Sequence, residues 1–158
     1  MTIPSDHQPR RIWVLIEQEG GAAHPVSWEL LGAAQRLAQE LDPQHAVVEG
    51  VLLGHDVAPI AQEAFRYGAG RVYLMDDPVL AVYRNLPYAA GVSRLVESYQ
   101  PEIFLIGATT LGRDLASSIA TRVQTGLTAD CTELAIDPKQ GILAATRPTF
   151  GGNLMATI

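Results

Sequence analysis

One cysteine, Cys131, stands in 158 residues. No intrachain disulfide can form, so the fold must rest on burial alone, as in a reducing compartment. Positive charge is also short: 11 Lys and Arg face 17 Asp and Glu, with no basic run longer than Arg10–Arg11. A nucleic-acid binder needs a cationic face to displace counterions, and that class is excluded. No apolar stretch approaches the roughly 20 residues that span a bilayer. The opening MTIPSDHQPRR lacks the apolar core of a secretion signal and the length of a transit peptide. A soluble, cytoplasmic chain is expected. His7, His24, His45, His55 and Cys131 show no zinc spacing, so no metal is expected. The loop QEGGAAHP after the first apolar run holds neither G-x-G-x-x-G nor a Walker-type lysine. A dinucleotide domain of the usual kind and a P-loop are disfavoured.

What is present suits one globular core: 47% of residues are hydrophobic and 18% charged. Residues 1–10 read as a disordered polar leader and 11–158 as the domain. Ile12–Glu17, Ala46–Leu53, Val72–Met75 and Ile103–Gly107 are apolar runs of strand length. After a Gly20–Gly21 turn, Ser27 is placed to cap a helix. Leu30, Leu31, Ala34, Leu37, Ala38 and Leu41 form its apolar stripe. A second helix, Ala58 to Tyr67, turns Ile60, Ala61, Ala64 and Phe65 inward and stops at Gly68. Residues 76–87 are irregular, and a third helix runs Tyr88–Tyr99 with Val92, Leu95 and Val96 inward. Four strand–helix units predict an α/β fold: an open, mostly parallel sheet with helices on both faces, a Rossmann-like three-layer sandwich. After Gly126 the pattern changes. Cys131–Ile136 and Leu143–Arg147 read as a C-terminal β-hairpin extension about a turn at Asp137–Gly141, and Asn153–Ile158 as the start of a further strand. The chain therefore reads as one domain of a longer protein.

With strand order 3-2-1-4-5, the loops after Glu17 and Gly107 flank the crevice where such sheets bind ligands. Gly107 and Gly112 permit close backbone approach. Thr109 and Arg113 lie at a helix start, expected near Arg113, whose free N–H groups favour an anion. The alternative is that the glycines serve only a tight turn. Arg113 and Asp114 read either as a first-turn ion pair, with Asp114 complementing the helix dipole, or with Arg113 as a phosphate or cross-interface contact. In Thr125–Thr132 (TGLTADCT), Cys131 has no histidine nearby in sequence and reads as a buried strand residue, with Asp130 as a backbone cap. Arg147–Asn153 (RPTFGGN) reads as a loop turning at Gly151–Gly152, or as a docking strip leading to a next domain. No catalytic residue can be named.

Trp28–Ala38 (WELLGAAQRLA), Ile106–Asp114 (IGATTLGRD), Thr125–Leu134 (TGLTADCTEL) and RPTFGGN carry a likeness over nearly the whole chain. It resembles the N-terminal domain of the alpha subunit of electron transfer flavoprotein, with wording nearest the branch associated with nitrogen fixation and electron bifurcation. The resemblance implies a nucleotide-alpha-hydrolase-like sandwich in a heterodimer with a beta subunit. That heterodimer shuttles electrons between flavin dehydrogenases and a quinone oxidoreductase in the bacterial cytoplasm. FAD would be held by a C-terminal domain absent from this chain, and AMP or a second FAD by the beta subunit. This domain would be a scaffold without catalysis, its crevice at Gly107, Thr109, Gly112 and Arg113 unused. Thr110, Asp114, Thr125, Thr128, Asp130, Arg147 and Phe150 then become candidates for the subunit interface. Two other readings stand beside it: a free-standing nucleotide-binding module resembling universal stress proteins, and a hydrolase using Asp114 or Cys131, for which no base partner can be named.

Overall fold

Five consecutive residues, Ile12–Ile16, are buried in the first strand, a run that only a sheet covered on both faces accommodates. The computed structural model describes residues 8–149 and 154–158. In chain order β1 (Arg10–Ile16) runs into a two-residue hairpin, β2 (Gln18–Glu19) and β3 (Ala22–Ala23). There follow α1 (Val26–Leu41), β4 (Ala46–Gly54), α2 (Ala58–Arg66), β5 (Arg71–Asp76) and a 3-10 turn at Pro78–Leu80. Then come α3 (Asn85–Tyr99), β6 (Ile103–Leu105), α4 (Thr110–Arg122), β7 (Glu133–Ile136), β8 (Leu143–Thr149) and β9 (Leu154–Thr157).

The parallel sheet runs β5-β4-β1-β6, with Ile12 opposite Val48 on one side and Ile103 on the other. This is the expected order for its first four strands. Among the described residues no fifth strand joins it, and an antiparallel sheet β7-β8-β9 follows instead. Side chains alternate across a strand. Ile12, Val14 and Ile16 accordingly meet Leu31 and Leu37 of α1 and Ile60 and Ala64 of α2. Trp13 and Leu15 point the other way, to Val92 of α3 and to Leu115 and Ile119 of α4. The layers are therefore α1/α2, sheet, α3/α4. No helix among the described residues is long and apolar enough to cross a membrane.

One carboxylate lies inside the sheet. Glu49 of β4 is 3% exposed and accepts hydrogen bonds from Trp13 Nε1 at 2.9 Å and the Tyr73 hydroxyl at 3.0 Å. Arg11 lies 3.3 Å away and Arg71 3.8 Å, so the charge is paired. Its two donors belong to an aromatic cluster in which Trp13 meets Tyr73, Tyr99 and Phe104, and Tyr73 meets Tyr99, in tilted and edge-on ring contacts.

The third sheet packs on the α1 side. Ile136, Leu134 and Leu143 join the cluster beneath α1. The outward backbone groups of β7 are taken by α1 side chains: Glu40 Oε2 accepts the Ile136 N–H at 3.0 Å, and Arg36 donates to the Leu134 carbonyl at 3.5 Å. Asp137 builds the β7–β8 turn by accepting the Lys139 and Gln140 N–H groups.

Several sequence expectations are corrected. Arg10 belongs to β1 rather than to a leader, and pairs with Glu102; residues 1–7 lie outside the described residues. Ser27 caps nothing. The α1 N-cap is Pro25, and the Ser27 hydroxyl, fully buried, accepts the Glu17 N–H at 2.9 Å. Phe65 is 44% exposed, at the rim of its helix stripe. The third helix starts at Asn85, with Pro87 inside its first turn, where a missing N–H costs nothing. Cys131 is half-buried and precedes β7 rather than lying in it. β8 extends through Thr149, so Arg147–Thr149 is strand rather than loop. The expected turn at Gly151–Gly152 falls outside the described residues.

Candidate functional site

The strand order changes direction between β1 and β6, and the carboxyl ends of these strands hold the crevice. Its centre is Glu17, one residue past β1. The Glu17 side chain is 5% exposed, and its Oε2 accepts the Thr109 hydroxyl at 2.7 Å. Thr109 is the N-cap of α4, and its Oγ1 also accepts the Gly112 N–H at 2.9 Å. The helix thus begins one turn earlier than expected, with Thr109 rather than Arg113 at its start.

Gly107 and Gly112 close around the same carboxylate. A Cβ on Gly107 would lie 2.8 Å from Glu17 Oε1, and one on Gly112 3.0 Å from that oxygen and 1.9 Å from the Gly107 carbonyl oxygen. Only residues without a side chain fit there. Glu17 Oε1 itself has no hydrogen-bond partner among the described residues. The adjoining cavity, lined by Leu15, Leu53, Tyr88, Leu111 and Leu115, measures about 10 Å³, room for one water at most.

Of the four crevice candidates, Gly107, Thr109 and Gly112 come together and Arg113 does not. Arg113 turns outward: its Nε donates to the Ala108 carbonyl at 3.1 Å, and its Nη2 pairs with Asp130 at 2.7 Å. The first-turn pair with Asp114 is therefore absent. Asp114, the next residue, accepts instead from the Tyr83 hydroxyl and from Asn85 Nδ2. These bonds, Tyr83 first, hold its carboxyl below the usual range. Burial, with Asp114 beside it, pushes the Tyr83 phenol up to about 12.

The Arg113–Asp130 pair organises the interface candidates. Residues 123–132 leave the C-terminus of α4 and return along it to its first turn, a distance of about 15 Å for ten residues of helix. Thr110, Asp114, Thr125 and Asp130 are exposed and Thr128 half-exposed, with Leu127 among them 51% exposed. Asp130 sits at φ 57° and pairs with Arg113, rather than capping backbone. Arg147 lies on β8, its Nε shielded and without a hydrogen-bond partner among the described residues. Phe150 lies outside the described residues. Burial pushes the Cys131 thiol up, which disfavours the thiolate a nucleophile requires.

Sequence reasoning missed two features. The role of Glu17 was hidden because Thr109 lies 92 positions along the chain from it; the only signal was an acid closing an apolar strand. His55, Asp56 and Asp76 also converge, with ligand-type atoms within 4.8 Å of one another, all exposed. Asp76, however, spends its oxygens on the Asp56 and Val57 N–H groups at the start of α2, and these bonds lower its pKa.

The family model for the electron transfer flavoprotein domain matches residues 12–158. The chain is 54% identical over 152 residues to Protein FixB of Azorhizobium caulinodans, covering 94% of this chain and 40% of that protein. It is 55% identical over 150 residues to Protein FixB of Rhizobium meliloti, covering 94% and 42%. To the electron transfer flavoprotein subunit alpha of Thermoanaerobacterium thermosaccharolyticum it is 48% identical over 147 residues, covering 93% and 43%. The chain thus spans about two fifths of the length of these relatives, and it belongs to the electron transfer flavoprotein family.

Proposed function

We propose that this chain is the N-terminal domain of an electron transfer flavoprotein alpha subunit and serves as scaffold and docking surface for a beta subunit. It carries no catalysis of its own. In the whole protein, FAD held by a C-terminal domain would carry electrons between flavin dehydrogenases and a quinone-linked acceptor in the bacterial cytoplasm. The relatives named FixB favour the nitrogen-fixation-associated branch. The observation that carries the docking role is the face made by α4 and the segment returning along it. There the Arg113–Asp130 pair ties the returning segment to α4, and Leu127 on that segment is exposed. An exposed apolar side chain among polar residues suits a protein interface.

Co-expression of this chain with a tagged beta subunit tests the reading. Wild type is retained through gel filtration. Leu127→Asp and Arg113→Glu weaken retention by at least about tenfold, the size of one interface hot spot, and Leu127→Asp does so with unchanged melting temperature. Equal retention by both variants refutes the docking face. The chain purified alone is expected to be colourless, and stoichiometric yellow flavin would overturn the assignment of FAD to a following domain.

A further inference from the structure

We infer that Glu17 is a built-in stopper: its carboxylate stands where a phosphoryl group would sit at the N-terminus of α4, and shortening it opens the crevice to phosphate. The inference is independent of the docking reading.

Three observations carry it. The first is position. Glu17 lies at the carboxyl end of β1, against the start of α4, at the point where strand order reverses, the place at which sheets of this kind hold phosphates. The second is steric. Where Cβ atoms on Gly107 and Gly112 would stand, Glu17 Oε1 lies 2.8 and 3.0 Å away, beside Val26 Cγ1 at 2.9 Å from the first and the Gly107 carbonyl oxygen at 1.9 Å from the second. Glycines at such positions let a bound phosphate approach the backbone; here they admit the chain's own carboxylate.

The third is electrostatic. Glu17 is 95% buried, yet Oε1 has no hydrogen-bond partner among the described residues. A buried carboxyl oxygen in that state is costly unless another field stabilises it. The N-terminus of the 13-residue α4 supplies that field. Thr109 Oγ1 takes the Gly112 N–H, while the first two amides of the helix, Thr110 and Leu111, have no intrahelical acceptor. The edge is thus arranged for an oxygen acceptor and already contains one. Wild type should bind neither inorganic phosphate nor a nucleoside monophosphate there.

The test is a titration of sodium phosphate, and separately of AMP, followed by backbone amide chemical shifts at constant ionic strength. Wild type, Glu17→Gln, Glu17→Ala and Glu17→Ser are compared. The Ala and Ser variants are expected to show saturable shifts at Gly107 and Thr110–Gly112, with affinity at least about tenfold above wild type. Glu17→Gln, the same shape as glutamate, stays closed. Tighter binding of AMP than of phosphate by the opened variants identifies a nucleotide-shaped edge, and equal binding a bare phosphoryl site. Phosphate binding by wild type, or by Glu17→Gln, as tight as that of Glu17→Ala overturns the proposal. So does a folded Ala or Ser variant that shows no shifts. Failure of both variants to fold overturns it as well, since Glu17 would then be a folding element rather than a stopper.

Discussion

Replacing Glu49 by alanine is expected to be among the most damaging single changes in this domain. The carboxylate is 3% exposed and accepts from two buried donors, Trp13 Nε1 and the Tyr73 hydroxyl. Trp13 is fully buried and Tyr73 9% exposed, so water cannot readily replace the lost acceptor. Each donor left unpaired costs about 1–3 kcal/mol, and Arg11 loses the partner 3.3 Å away. The loss is expected to be roughly 3–5 kcal/mol, against a total stability of about 5–15 kcal/mol for a domain. At about 2–4 °C per kcal/mol for a chain of this size, the melting temperature falls by roughly 6–20 °C. Urea denaturation followed by circular dichroism gives the free energy directly. Tyr73→Phe removes one donor, and the double variant Glu49→Ala/Tyr73→Phe should recover part of the loss, with a coupling above about 0.5 kcal/mol. A Glu49→Ala cost under about 1 kcal/mol, or strictly additive single changes, would refute the account of Glu49 as the shared acceptor of the aromatic cluster.

Gly112→Ala places a Cβ 1.9 Å from the Gly107 carbonyl oxygen. It is expected to displace the first turn of α4 and lower stability by more than about 3 kcal/mol, whereas Gly126→Ala, with open space around it, is expected to be near neutral in the same melt. Asp76 and Asp114 both have native pKa values below the ordinary 3.8. Their stabilisation is therefore fully present above the unfolded value and lost as pH falls through the lowered native values. Melting temperature plotted against pH below about 5 should slope less steeply in Asp76→Asn than in wild type; identical slopes would contradict the capping role. Tyr83, held up to about 12 by burial and then by Asp114, is expected to ionise late in an ultraviolet titration. In Asp114→Ala its transition should move to lower pH, and no movement would show that the contact does not matter electrostatically.

Much of the fold was legible because burial leaves a period. The unbroken apolar run Ile12–Ile16 could belong only to a strand covered on both sides, and the stripe of Leu31, Ala34, Leu37 and Ala38 only to a helix lying on it. What escaped were polar residues whose partners are remote. Ser27 has the composition of a cap, yet its hydroxyl serves the backbone of Glu17 inside the structure. The start of α4 was placed late because Thr109 caps it through its hydroxyl, without the acid in the first turn that usually marks a beginning. Arg113 and Asp114 are neighbours in sequence but face different partners, one across the returning segment and one on the approach to α3. Local spacing could not reveal either contact, or the closure of the crevice by Glu17, because each depends on segments brought together only by the completed sheet.

Arg36 and Glu40 engage the outward carbonyl of Leu134 and N–H of Ile136, while among the described residues β9 has a strand on one side only. The small antiparallel layer is therefore sealed along its β7 margin: a helix side chain already holds each of these outward groups, so an incoming strand finds no ladder to extend there.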